Sequence, residues 1–157
     1  MLTLRNISVI FNADTPNEVT ALNNVSMKVD AGDFITVIGA NGAGKSTLFN
    51  VIALLDKPTF GRYRLNEQDV TQLTDDELAH VRSQNIGFVF QFFHLIQRLT
   101  ASENIEMPMI LAGIAGKERK QRVQQALISV NLQDRAQHRP DQLSGGQLQR
   151  VAIARAM

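Results

Sequence analysis

Cysteine is absent from the 157 residues, which excludes disulfides and thiolate metal sites. Histidine is scarce and scattered, at His80, His94 and His138, which argues against a histidine-rich zinc site. No apolar run approaches the roughly 18 residues of a membrane-spanning helix. The N-terminus has no basic region followed by an apolar stretch, so no signal peptide is expected. Net charge is +1, unlike a generally basic nucleic-acid binder. Acidic groups outnumber basic ones in the first half and the reverse holds in the second, which reads as ordinary solvated faces. No repeat or low-complexity tract occurs. What remains is globular composition, 44% hydrophobic and 20% charged, in a chain of single-domain length. A soluble cytosolic protein is expected.

Residues 2–11 and 19–29 alternate apolar with polar side chains and read as strands. Residues 34–38 and 86–90 are short apolar runs of the kind expected for buried parallel strands. A helix is expected over 45–55, and a turn and strand over 59–69. A capping box at Thr74 and Glu77 opens another helix. Residues 102–113 read as a helix interrupted near Pro108. Residues 117–132 form an amphipathic helix. A second capping box, at Ser144 and Gln147, opens the last one.

The stretch 39–46 reads G-A-N-G-A-G-K-S and fits G-x-x-x-x-G-K-[ST]. Glycines let a backbone fold tightly enough to aim several N–H groups at one phosphate chain. The following helix adds its free N–H groups and positive dipole end. Lys45 offers a mobile charge for the β and γ phosphates, and Ser46 a hydroxyl for Mg²⁺. The candidate cradle is Gly39, Asn41, Gly42, Ala43, Gly44, Lys45, Ser46 and Thr47. A glycine-rich turn could precede a lysine without function, but a strand before and a helix after are the context the motif requires. The motif does not choose the nucleotide or the reaction.

The stretch 143–150 reads L-S-G-G-Q-L-Q-R. Ser144 can cap a helix whose bare end is again an anion site. Placed after the phosphate loop, this segment resembles the signature of the ATP-binding cassette family, and the resemblance covers essentially the whole chain. It implies an α/β P-loop NTPase fold with an antiparallel β part, a parallel-sheet core and a helical subdomain. Residues 1–91 would form the β part and core, 92–143 the mostly helical subdomain, and 144–157 the signature helix. ATP and Mg²⁺ are the implied cofactors. Gln91 matches the glutamine-loop residue, implied to contact Mg²⁺ or the attacking water. Phe11 sits where an aromatic stacks on adenine. Ser144, Gly145, Gly146 and Gln147 would close over the γ phosphate held by a second, head-to-tail domain. The implied partner is a separate transmembrane permease, with the cassette in the cytoplasm, peripheral at the inner face of the cell membrane, and no nucleic acid involved. Several stretches resemble the lipoprotein-release, macrolide-efflux and cell-division branch, whereas residues 17–50 also resemble amino-acid uptake cassettes.

Family hydrolysis uses a later strand ending in Asp-Glu and a switch histidine. Neither is matched here, and Asp76-Glu77 opens a helix instead. The resemblance therefore implies a cassette truncated before that strand. It should bind Mg-ATP weakly, show no hydrolysis above background alone, and be marginally stable. Three other readings stay open: a binding fragment without turnover, a non-transport cassette, and a small-molecule kinase, which would leave residues 143–150 unexplained.

Overall fold

Alternating side chains build the first part of the chain. β1 (Leu2–Phe11) and β2 (Val19–Val29) lie antiparallel, from the Leu2–Val29 pair to the Phe11–Val19 pair. β1 also pairs antiparallel with β3 (Phe60–Leu65), which turns into the short β4 (Gln68–Asp69). The sheet order is β2-β1-β3-β4. Leu4 and Ile7 are both buried, although strict alternation would put them on opposite faces. A bulge reconciles them. The register shifts between the two, where Asn6 takes φ 51° and its N–H donates to Ser26 Oγ at 2.8 Å.

This computed structural model describes residues 1–157, and the chain forms two compact units, Met1–Gln84 and Asn85–Met157. The first holds the sheet, α1 (Lys45–Ile52) and nearly all of α2 (Asp75–Asn85). α1 stops short of the expected residue 55. Leu54 turns left-handed at φ 56°, and the Leu55 N–H returns to the Asn50 carbonyl at 2.9 Å. The buried Tyr63 hydroxyl donates to the Ile52 carbonyl at 2.9 Å, fastening the helix end to β3. α2 begins at the expected capping box, where the Thr74 N–H and hydroxyl both donate to the Glu77 carboxylate at 2.8 Å.

In the second unit, α3 (Ala101–Leu111), α4 (Gly116–Ser129) and α5 (Gly145–Ala156) surround a core that includes Ile105, Leu127, Leu132 and Val151. The break expected near Pro108 does not occur. Proline lacks one N–H, yet the bonds resume with the Ala112 N–H on the Pro108 carbonyl at 3.0 Å, and a Thr100–Glu103 capping box secures the helix start. α4 ends at Ser129, before the expected residue 132, because Asn131 turns left-handed at φ 56°.

Residues 34–38 and 86–90 depart most from expectation. Neither run has a ladder partner, and the sheet present is wholly antiparallel. Phe34 is 92% and Ile38 87% exposed. Apolar, β-branched composition marks a segment fit for burial between neighbours. A strand forms only where a second backbone pairs with it, and no segment within 1–157 does so here.

Candidate functional site

The phosphate-loop motif lies in the first unit, against β2. Gly44 has φ 81°, and a Cβ there would collide with the Ala21 carbonyl oxygen. Only glycine satisfies both demands. Gly42 has the same φ but open space around it. Gly44 is also the residue ahead of α1, and that helix has neither a side-chain cap nor an acidic residue in its first turn. The N–H groups of Lys45, Ser46 and Thr47 therefore lack intrahelical partners, and the positive end of the dipole is unopposed. The Lys45 ammonium folds back over the loop, donating to the carbonyls of Gly39 at 2.8 Å and Ala40 at 2.7 Å. Ser46 and Asn41 are exposed and Thr47 is half-buried. The Ala43 N–H closes a turn onto the Ala40 carbonyl at 3.2 Å.

Phe11 lies at the end of β1, 43% exposed and paired with Val19. Val19 is two residues along β2 from Ala21, whose carbonyl abuts Gly44. The fold thus brings a flat apolar face to the end of the sheet that adjoins the phosphate loop.

Gln91 and residues 144–147 belong to the second unit. Gln91 is exposed, on a turn closed by the Phe93 N–H donating to the Phe90 carbonyl at 3.0 Å. Ser144 caps α5: its Oγ accepts the Gln147 N–H at 3.4 Å, and its own N–H donates to Gln147 Oε1 at 2.8 Å. The Gln147 amide is therefore engaged in the cap. A Cβ at Gly145 or Gly146 would meet nothing, and neither has a left-handed φ. Both glycines are the first two residues of α5, directly after its Ser144 cap. They leave the end of α5 bare to an outside group.

No sequence pattern singles out Arg155. From the last turn of α5 it donates to the carbonyls of Phe93 at 2.8 Å and His94 at 2.6 Å, and burial holds its guanidinium below the ordinary pKa. His94 uses its carbonyl here. His138 accepts the Ala101 N–H on its own carbonyl at 2.9 Å. A cavity of about 510 Å³ is lined by Ser102, Glu106, Lys120, Val123 and Gln137 among others, and by none of the candidate residues.

Comparison with known proteins agrees with these features. The ABC transporter family profile matches residues 22–157. The chain is 50% identical to the uncharacterized ABC transporter ATP-binding protein YvrO of Bacillus subtilis, over 100% of this chain and 68% of that protein. It is 51% identical to an uncharacterized ABC transporter ATP-binding protein of Thermotoga maritima, over 89% of this chain and 60% of that one. Against the macrolide export ATP-binding/permease protein MacB of Burkholderia thailandensis it is 48% identical, over 89% of this chain and 21% of that one. It superposes on the ATP-binding cassette MJ0796, solved as a dimer in a post-hydrolysis state bound to ADP and Pi, with a TM-score of 0.84 and 43% identity. That superposition covers 100% of this chain and 69% of the other. The chain belongs to the ABC transporter family, as an ATP-binding domain of the P-loop NTPase fold close to MacB, YknY and MJ0796.

Proposed function

We propose that this chain binds Mg-ATP and that the whole protein couples ATP hydrolysis to transport through a separate membrane subunit. The observation that carries the binding is the start of α1. It is an uncapped, acid-free helix end behind a glycine loop, with Lys45 already folded over it. Backbone N–H groups from the loop and from Lys45, Ser46 and Thr47 hold the phosphates. Lys45 leaves the Gly39 and Ala40 carbonyls for a β or γ phosphate oxygen, exchanging neutral acceptors for a charged one. Phe11 gives adenine a stacking face.

Ser46 is exposed in the first turn of α1, and a single hydroxyl there suits Mg²⁺, which keeps several waters and takes phosphate oxygens beside one or two protein ligands. Ser46 would hold it through its exposed hydroxyl, and Gln91 is assigned to the ion or to the attacking water. When bound, the ion neutralises charge developing on the phosphates.

Ser144, Gly145 and Gly146 are assigned to the nucleotide of a second copy, paired head to tail. The bare end of α5 supports this, as does the dimeric state of the MJ0796 cassette. We assign 1–91 to the β part and core, 92–143 to the helical subdomain and 144–157 to the signature helix. No helix is long and apolar enough to cross a membrane, and the permease is assigned to a separate polypeptide. The inner membrane face is the proposed location.

For the 157 residues alone we propose binding without turnover. The sequence contains one Asp-Glu pair, Asp76-Glu77, and the Glu77 carboxylate is committed to capping α2. A steady-state phosphate-release assay with a Lys45→Ala control tests this. No release above that control is expected, and robust Lys45-dependent release would overturn it. Co-purification of the whole protein with a membrane subunit tests the transport assignment.

A further inference from the structure

The segment around Gln91 is bent in a way its own residues disfavour. Phe93 and His94 both lie in the left-handed region, at φ 59° and 47°, where neither side chain is at ease. Two short bonds close the bend, Phe93 N–H to the Phe90 carbonyl at 3.0 Å and His94 N–H to the Phe92 carbonyl at 2.6 Å. Such a conformation persists only where the surroundings impose it.

The last turn of α5 imposes it from two sides. After Gln91, the Arg155 guanidinium forks onto the carbonyls of the two left-handed residues, at 2.8 Å for Phe93 and 2.6 Å for His94. Before Gln91, Gly87 lies so close to Ala156 that a Cβ would run into its carbonyl oxygen. Beyond the bend, Leu95 is buried in the helical core, and fully buried Asn104 holds both the N–H and the carbonyl of Ile96. Between these fixed points Gln91 and Phe92 are exposed.

We propose that Arg155 is a positioning residue for Gln91: its two hydrogen bonds hold the bent turn, so the helix that begins at Ser144 also sets where the Gln91 amide points. Both Arg155 guanidinium contacts are to backbone carbonyls. Its planar fork matches the two neighbouring carbonyls. This inference rests on the assignment of Gln91 to the ion or the attacking water.

The test uses the full chain. The sequence contains no tryptophan, and Phe92 is 76% exposed, so Phe92→Trp gives a single reporter beside Gln91. Without nucleotide, Arg155→Ala should raise the population of the open turn about thirtyfold, the factor two lost hydrogen bonds carry. The anisotropy of the reporter indole should fall and its quenching by acrylamide should rise. Arg155→Lys, which keeps a donor, should recover part of both. With nucleotide, Gln91→Ala and Arg155→Ala should each reduce the gain in ATP affinity that Mg²⁺ confers. Unchanged anisotropy and quenching in Arg155→Ala would overturn the proposal. So would a reduced Mg²⁺ gain in Gln91→Ala with an unaltered gain in Arg155→Ala. An unaltered gain in Gln91→Ala would instead overturn the assignment of Gln91, and the positioning role with it. If Arg155→Ala fails to fold, Arg155→Lys alone decides. One weaker carbonyl bond should give intermediate anisotropy and an intermediate Mg²⁺ gain, and wild-type values of both would overturn the proposal.

Discussion

Replacing Asn104 should be among the most damaging single changes in the helical unit. Its side chain is fully buried in α3. Oδ1 accepts the Ile96 N–H at 2.8 Å. Nδ2 donates to the carbonyls of Ile96 and Leu99, both at 3.1 Å, and of Thr100 at 3.0 Å. One accepted bond and two full donated bonds, at about 1 kcal/mol each, give ~3 kcal/mol for Asn104→Ala. Asn104→Asp should be worse. It keeps the acceptor for Ile96 but turns a second oxygen toward three carbonyls and buries a charge. Urea unfolding followed by helical circular dichroism measures both, with similar m-values required for the comparison. Asn104→Ala costing under about 1 kcal/mol, or Asn104→Asp costing no more than Asn104→Ala, would refute the reasoning.

The two left-handed glycines of the phosphate loop should separate. Gly42→Ala meets open space and costs about 1–2 kcal/mol of strain, whereas Gly44→Ala adds the collision with Ala21. Thermal melts and nucleotide titrations should therefore show Gly44→Ala as clearly the worse. Ser144→Ala removes the cap of α5 and should cost about 1 kcal/mol, read by denaturant unfolding. Acidification should weaken the caps of α2 and α3. The Thr74 and Thr100 backbone N–H groups, then the hydroxyls, hold the Glu77 and Glu103 carboxyls below their ordinary 4.5. A folded pKa below the unfolded one gives stability that is full above about pH 4.5 and lost as pH falls through the lower folded value. Melting temperature followed from about pH 6 to pH 3 should drop less steeply in Glu77→Gln and Glu103→Gln.

Local chemistry was legible where a few neighbouring residues decide it. The boundaries of β1 and β2 follow from alternation, and the starts of α2 and α5 from capping boxes. The glycine loop is readable because Gly42 and Gly44 need left-handed backbone and α1 follows at once. Features that depend on distant partners were not. Residues 34–38 and 86–90 have strand composition, but a ladder needs a second backbone. The break expected at Pro108 did not account for the packing of Ile105 and the Thr100 cap, which hold α3 together. Arg155 is one arginine among many in the sequence, and only the fold brings it to the carbonyls beside Gln91.

The most direct test of the central claim is an equilibrium titration of the chain with a fluorescent ATP analogue in Mg²⁺, beside Lys45→Ala. Saturable binding is expected, weakened about tenfold or more in the variant, the scale of one charge-assisted hydrogen bond. Equal affinity in the two proteins, or no saturable binding by a folded wild-type chain, would contradict it.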